Sequence, residues 1–295
     1  MWIIMIIAFV FVYFISLTFQ IVVQNPIKTL YNGVIDIYEY IIHKKYNEAK
    51  LGQIRAYVGL FGKGKTLSAV HDVISYYKKY NDKLVWDQKQ KKFITQKVII
   101  LSNVPLVGVP YIYWTSMRQI VDIAENHLKV DEETDTRTIY IALGDEFSVQ
   151  MNSRQYRNNI DPLFLNTLLT CRHSNFGPFY LTAQRFTHMD ALLRQVTSVV
   201  IDCDKLWRIQ RHYFYDAWEY ENATKKSEIK AMARGGFFVT NADYYAYDTK
   251  QLVGNLVKDC NNGEMLSEQE IISMIGKLDK VENDLSPAKR AMFRL

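Results

Sequence analysis

Apolar positions along the chain follow three patterns, each implying a different kind of element. From Trp2 to Val23 nearly every side chain is apolar, and no charged side chain comes before Lys28. About 22 residues rise roughly 33 Å as an α-helix, enough for a bilayer core. A removable signal peptide would need a basic leader, a shorter apolar run and a small-residue cleavage site. A buried core helix of this length would carry a polar face. The pattern predicts a retained transmembrane anchor over residues 1–24. From Ile27 to Tyr46 the period becomes helical, with Leu30, Val34, Ile37, Ile41 and Ile42 on one side. This predicts a juxtamembrane amphipathic helix within residues 25–50 that lies on lipid or packs against protein. Lys28, Lys44, Lys45 and Lys50 all follow the apolar run. By the positive-inside rule the rest of the chain then faces the cytoplasmic or interior side.

The third pattern starts at Gln53. Strand-type runs appear at Gln53–Val58, Lys97–Val104, Thr138–Gly144, Pro178–Arg185 and Ser198–Asp204, and that at Lys97–Val104 is continuous and apolar. Unbroken apolar runs belong to parallel strands buried on both faces. Between them lie helix-spaced stretches at Leu67–Ile74, Trp114–Leu128, Leu163–Thr170 and Ala191–Gln195. Alternating strands and helices predict an α/β domain over residues 51–255, with a central, mostly parallel sheet. The lysine-rich stretch after Asp82 reads as a polar connection, and Asp131–Arg137 as an acidic loop. Trp207–Tyr220 interleaves aromatic and basic residues, which fits a β-hairpin over a core or a stacking surface for single-stranded DNA. Gly235–Tyr247 reads as a further strand region. Residues 256–295 carry a capped helix pattern, Ser267-x-x-Glu270, and then a tail.

Composition adds little. The formal net charge of +5 over 295 residues permits contact with nucleic acid or anionic lipid without requiring it. The three cysteines are scattered, as reduced thiols are, and Cys171 with His173 lacks the second pair that a structural metal site needs.

Candidate chemistry sits at two places. Gly59-Leu-Phe-Gly62-Lys63-Gly64-Lys65-Thr66-Leu67 has the form G-x-x-x-x-G-K-[ST] between a strand and a helix. Such a loop turns backbone N–H groups toward phosphate oxygens, and the helix N-terminus adds positive charge. Lys65 is placed to reach the β- and γ-phosphates of ATP, and the Thr66 hydroxyl to hold Mg²⁺. The second place is the apolar strand that ends in Asp145-Glu146. There Asp145 is the Mg²⁺ partner and Glu146 the group that polarises the attacking water. Gln184 ends another strand as a candidate γ-phosphate sensor or a plain polar terminus. Arg172 and Arg194 are candidates to donate charge to a neighbouring subunit's phosphate, or else structural ion pairs.

Taken together, the loop, Ser102-Asn103-Val104-Pro105, Asp145-Glu146, Thr170-Cys-Arg172-His173-Ser-Asn-Phe-Gly177, Leu181-Thr182-Ala183-Gln184, Leu193-Arg194 and Tyr247-Asp248-Thr249 resemble the zonular occludens toxin-like (Zot) ATPases. These are filamentous-phage assembly proteins and related packaging ATPases of small DNA viruses, and the resemblance spans about residues 54–249. It implies an additional-strand P-loop ATPase, assembled as a homo-oligomeric ring at a host inner membrane or virion membrane. Such an ATPase would drive viral DNA through a portal or out in an extruding particle, alongside other virion proteins. By the same resemblance Lys65 and Thr66 bind nucleotide and Mg²⁺, Asp145 and Glu146 serve hydrolysis, Gln184 is the sensor and Arg172 acts in trans. Filamentous-phage members place their membrane helix after the ATPase domain. This chain places its apolar run first, which favours packaging over extrusion. Two other readings stand beside the motor. One is an ATP-dependent membrane assembly or extrusion factor with no grip on DNA. The other is a nucleotide switch or kinase, although no N-K-x-D element or arginine-rich lid is visible.

Overall fold

The computed structural model describes residues 13–14, 16–114, 119–120, 122–123, 131, 135–146 and 175–247. The chain divides into two units, residues 1–48 with 84–93, and residues 49–83 with 94–295.

In the first unit, α1 (Leu17–Gln24) is followed by α2 (Pro26–Ile42). The sequence predicts one anchor over residues 1–24, and within it α1 has its N-cap at Ser16. Ser16 is extended, and its hydroxyl accepts from Phe19 N at 3.3 Å. Ser is a favoured N-cap because its side chain satisfies an otherwise orphaned N–H. Pro26 then opens α2, where a missing N–H costs nothing. Among the described residues no helix is long and apolar enough to cross a membrane. Residues 1–12 and 15 of the predicted anchor lie outside the described residues. The helix predicted from Ile27 is present as α2, and none of its residues is buried. Its C-terminal end is held by aromatic contacts: His43 stacks on Trp86 at 4.6 Å, Trp86 meets Phe93 edge-on at 5.1 Å, and Lys44 lies 5.6 Å from the Phe93 ring centre.

The second unit carries most of the strands. After β1 (Ile54–Val58) and α3 (Lys65–Tyr80) come β2 (Lys83–Asp87), which falls almost wholly in the first unit, and β3 (Lys92–Ser102). The lysine-rich connection expected here is therefore two strands with a turn, and β3 starts five residues before the predicted run at Lys97. The exposed, lysine-rich turn hid it, because ahead of Lys97 the hairpin buries only Val85 and Gln96, too few positions to impose an apolar pattern. Then follow β4 (Ile112–Tyr113), β5 (Thr136–Gly144), β6 (Phe176–Ala183), α4 (Ala191–Val196), β7 (Val199–Leu206), β8 (Ile209–Asp216), α5 (Ala217–Asn222), β9 (Ala233–Phe238) and α6 (Asn241–Tyr245). The strand order is β3-β5-β6-β1-β7-β8-β9. The pairs from β3 to β7 are parallel, and β8 and β9 are added antiparallel. The parallel sheet read from the apolar runs is present, and β6 is inserted between the loop strand β1 and the acidic strand β5. That insertion is the additional-strand arrangement.

Strand alternation divides the core between two faces. Ile54, Ala56 and Val58 point to a cluster with Phe186, Met189 and Leu193, while Tyr57 points to the face covered by Val70 and Val73 of α3. Pro178 sits in a strand that is paired on both sides, where a missing N–H is costly. The register shows how it is tolerated. Tyr140 pairs with Phe176 and Ala142 with Phe179, so Gly177 and Pro178 together oppose one residue, Ile141, in a bulge.

The sequence patterns miss two later elements. Trp207–Tyr220 is not one hairpin. Its first part is the β7–β8 turn and β8, and the Asp216 carboxylate then accepts from Trp218 N and Glu219 N to start α5. Gly235–Tyr247 is strand only through Phe238. Thr240 and Asp243 form a reciprocal cap that opens α6. The helices predicted at Trp114–Leu128, in large part, and at Leu163–Thr170 lie outside the described residues, as does everything after residue 247.

Candidate active site at the phosphate loop

β1 is buried and delivers the chain to Gly59, and α3 begins at Lys65. Gly64 is the N-cap of α3 in the left-handed region (φ 77°), and a Cβ there would collide with the Gln210 side-chain oxygen. Only glycine satisfies both the backbone and the space. The first turn closes through Ser68, whose N and Oγ both donate to Gly64 O at 2.9 and 2.7 Å. Lys65 is 9 % exposed, and its Nζ donates to Leu60 O at 3.3 Å, folding the ammonium back over the loop. Leu67, in the first turn, is buried.

Facing this turn are the carboxyl ends of three parallel strands. Asp145, just past β5, is 6 % exposed and held on every side. Thr66 Oγ1 donates to its Oδ1 at 2.7 Å, and Thr182 Oγ1 from β6 donates to the same oxygen at 2.6 Å. The Asn103 side chain, past β3, donates to Asp145 O at 2.9 Å and accepts from Asp145 N at 2.8 Å. A buried carboxylate needs such partners, and each comes from a different element at one sheet edge. Glu146 follows with φ 45°, a left-handed backbone that an ordinary residue adopts at a cost of roughly 1 kcal/mol or more. Its N–H donates to Thr182 Oγ1 at 2.9 Å, which offsets part of that cost. The turn leaves the Glu146 side chain exposed, lining a cavity of about 270 Å³ with Gly62, Gly64, Lys65 and Thr66.

On the opposite flank, the antiparallel strand β8 grips the loop from outside. Gln210, fully buried, donates through Nε2 to Lys63 O at 3.1 Å. Lys63 itself turns away and pairs with Asp204 at 2.7 Å, and Arg211 binds the other oxygen of that carboxylate. The hydrogen bond from Lys63 holds the Asp204 carboxyl below its ordinary range. His212 Nε2 lies 2.8 Å from Ser68 Oγ. Because the Ser68 hydrogen goes to Gly64 O, His212 is the donor here. Burial pushes the His212 pKa down, which keeps the ring neutral.

The sequence-predicted residues sort as follows. Gly62, Gly64, Lys65, Thr66, Leu67 and Glu146 line one cavity, with Asp145 bonded to Thr66, whereas Gly59 and Lys63 line the cleft on the other side of the loop. Gln184 lies beside Gly59 and Leu60 in a separate cleft of about 610 Å³, so Thr182 is the residue of its strand that touches the acid. Arg194 is engaged in its own chain, by Glu221 Oε1 at 2.7 Å, Met189 O at 2.6 Å and Thr187 O at 3.1 Å. That is the structural ion pair the sequence left open for it. Arg172 lies outside the described residues. Asn103 and Thr182 carried a faint signal, as the polar residues that end or nearly end their apolar runs. Gln210 and His212 carried none, because they sit in an alternating strand.

A threonine hydroxyl beside a carboxylate at a helix N-terminus suits Mg²⁺, which takes one or two protein oxygens and completes its shell with phosphate oxygens and water. Thr66 and Asp145 fit that ion.

No family model matches the chain, and no curated protein matches it. Among solved structures, the N-terminal domain of zonular occludens toxin from Neisseria meningitidis is 17% identical, covering 67% of this chain and 100% of that one, with a TM-score of 0.41. The genome packaging NTPase B204 from Sulfolobus turreted icosahedral virus 2, in complex with ATP-gammaS, is 14% identical over 57% of this chain and 93% of its own (TM-score 0.34). ATPases 2 and 3 of EssC from Geobacillus thermodenitrificans are 13% identical over 80% of this chain and 45% of theirs (TM-score 0.40).

Proposed function

We propose that this chain is a Mg²⁺-dependent ATPase that works at a membrane and drives viral DNA translocation, during genome packaging or virion assembly, as a homo-oligomeric ring. The observation that carries the ATPase reading is the 2.7 Å contact between Thr66 of the loop helix and Asp145 of the acidic strand, with Lys65 and Glu146 lining one cavity. A glycine-rich turn that matched the motif by accident would have no reason to face a buried aspartate.

In this mechanism the loop amides and the start of α3 take up phosphate charge. Lys65 exchanges the Leu60 carbonyl for β- and γ-phosphate oxygens. Thr66 and Asp145 would hold Mg²⁺, which when bound would supply positive charge against the phosphates. Glu146 accepts a proton from the water that attacks the γ-phosphorus, as the bond to the β–γ bridging oxygen breaks, giving ADP and phosphate. Thr182 fixes both acids relative to each other. Gln184 flanks the loop as the candidate sensor, and Arg172 is the candidate for action across a subunit boundary.

The membrane tether is supported by the apolar run at residues 2–23 and by the exposed apolar side chains of α2, among them Ile27 (82 %) and Leu30 (72 %). The site would then lie on the cytoplasmic or virion-interior side. The test is ATP turnover by the full chain in detergent, with and without double- or single-stranded DNA. Stimulation by DNA is the expected result. Turnover that ignores DNA removes the motor and leaves the assembly or extrusion factor.

A further inference from the structure

The cavity above the loop has a wall that the phosphate chemistry does not use. Besides Lys65, Thr66 and Glu146, it is lined by Lys205, Tyr244 and Tyr247. This wall is firmly mounted. His71 of α3 is 2.8 Å from Asp243, the Thr240–Asp243 cap fixes the start of α6, and Val107 N donates to Ala246 O at 2.8 Å. Tyr247 bridges to Leu106, and burial pushes its hydroxyl pKa up to about 12. Tyr244, by contrast, is 40 % exposed. Lys205 Nζ donates to the Tyr244 hydroxyl at 2.8 Å yet lies 4.6 Å from the ring centre, so it stands at the hydroxyl end of the ring and not over its middle.

The order of phosphates along the loop decides what meets this wall. The loop lysine takes the β- and γ-phosphates, and backbone amides of the loop and first helical turn take the α and β. The nucleoside therefore leaves from the Thr66–Leu67 end. Leu67 lines the cavity with Tyr244 and Tyr247, and it does not line the larger cleft on the Gln184 side.

Resting on the ATPase reading above, we propose that Tyr244 stacks on the base of the bound nucleotide, with Lys205 beside it reaching acceptor oxygens of the ribose or α-phosphate. A flat aromatic face reads no base edge, so this wall holds purine triphosphates with little discrimination between ATP and GTP.

The test compares ATP, GTP and inorganic tripolyphosphate binding to the full chain by calorimetry, with Mg²⁺ present. Wild type is expected to bind both nucleotides similarly, and each more tightly than tripolyphosphate. Tyr244→Ala should weaken ATP about tenfold or more, the range for losing one base–aromatic stack. Tripolyphosphate binding should stay unchanged, and Tyr244→Phe should keep ATP affinity near wild type. An unchanged ATP affinity in Tyr244→Ala, or an equal loss for ATP and tripolyphosphate, overturns the stacking role. So does a wild type that binds tripolyphosphate as tightly as ATP. A wild type that binds neither ligand overturns the phosphate-loop reading itself, a separate failure.

Discussion

The phosphate loop lies on a border between two kinds of sheet, and they hold it in different ways. On one side, β3, β5, β6 and β1 are parallel and buried, and their carboxyl ends bring Asn103, Asp145 and Thr182 to one edge, facing Thr66. On the other, β8 and β9 are antiparallel, and β8 is only half-buried, with Gln210 and His212 turned inward against Lys63 O and Ser68. The parallel half aligns strand ends because every crossover returns the chain to the same edge. Chemistry accumulates there, at the place where open α/β sheets bind ligands. The antiparallel ribbon runs past the loop and supports it through side chains in mid-strand. One half supplies reacting groups, and the other fixes the shape of the loop.

That division can be broken by substitution. Lys65→Ala should abolish ATP binding while the fold persists, as read by calorimetry and circular dichroism. Glu146→Gln should bind ATP normally but lose turnover by about 10²–10⁴-fold, the usual scale for a general base. Turnover within a few-fold of wild type would remove Glu146 from the mechanism. For stability, Ile201→Ala, at a fully buried position of β7, should cost about 2–5 kcal/mol in denaturant unfolding. Ile209→Ala in the ribbon, where the side chain is 47 % exposed, should stay within about 0.5 kcal/mol. Equal losses would mean that the two halves are not distinct. Thr182→Val should lower turnover about 10–100-fold and raise the Mg²⁺ needed for half-maximal rate, as loss of an outer-shell partner does. Arg211→Ala on the ribbon, which removes one partner of Asp204, should change turnover least of all.

The same contrast explains which elements were legible before the fold was known. β5 announces itself through the apolar run Ile139–Leu143 and β7 through Val199–Ile201, because burial on both faces there leaves no position for a polar side chain. The turn between β2 and β3 is lysine-rich and exposed, and β2 itself buries only Val85, so no periodicity marks this stretch. α6 reads as strand because Tyr244 and Tyr245 favour extended chain, yet the Thr240–Asp243 cap overrides that preference. The apolar run from Trp2 reads as one helix to Val23, and within it the Ser16 hydroxyl, which accepts from Phe19 N, caps the start of α1.

The sequence alone determined the loop, the acidic strand end and the parallel domain around them, because each is written in local residue types that obey short-range backbone and burial rules. Only the tertiary structure decided that Thr182 rather than Gln184 touches the acid. It alone assigned Arg194 to Glu221, and it alone brought Gln210, His212 and Tyr244 to the loop from far along the chain. Those contacts depend on strand order and on which way each residue of a strand points. A change of one residue in register reverses the pointing.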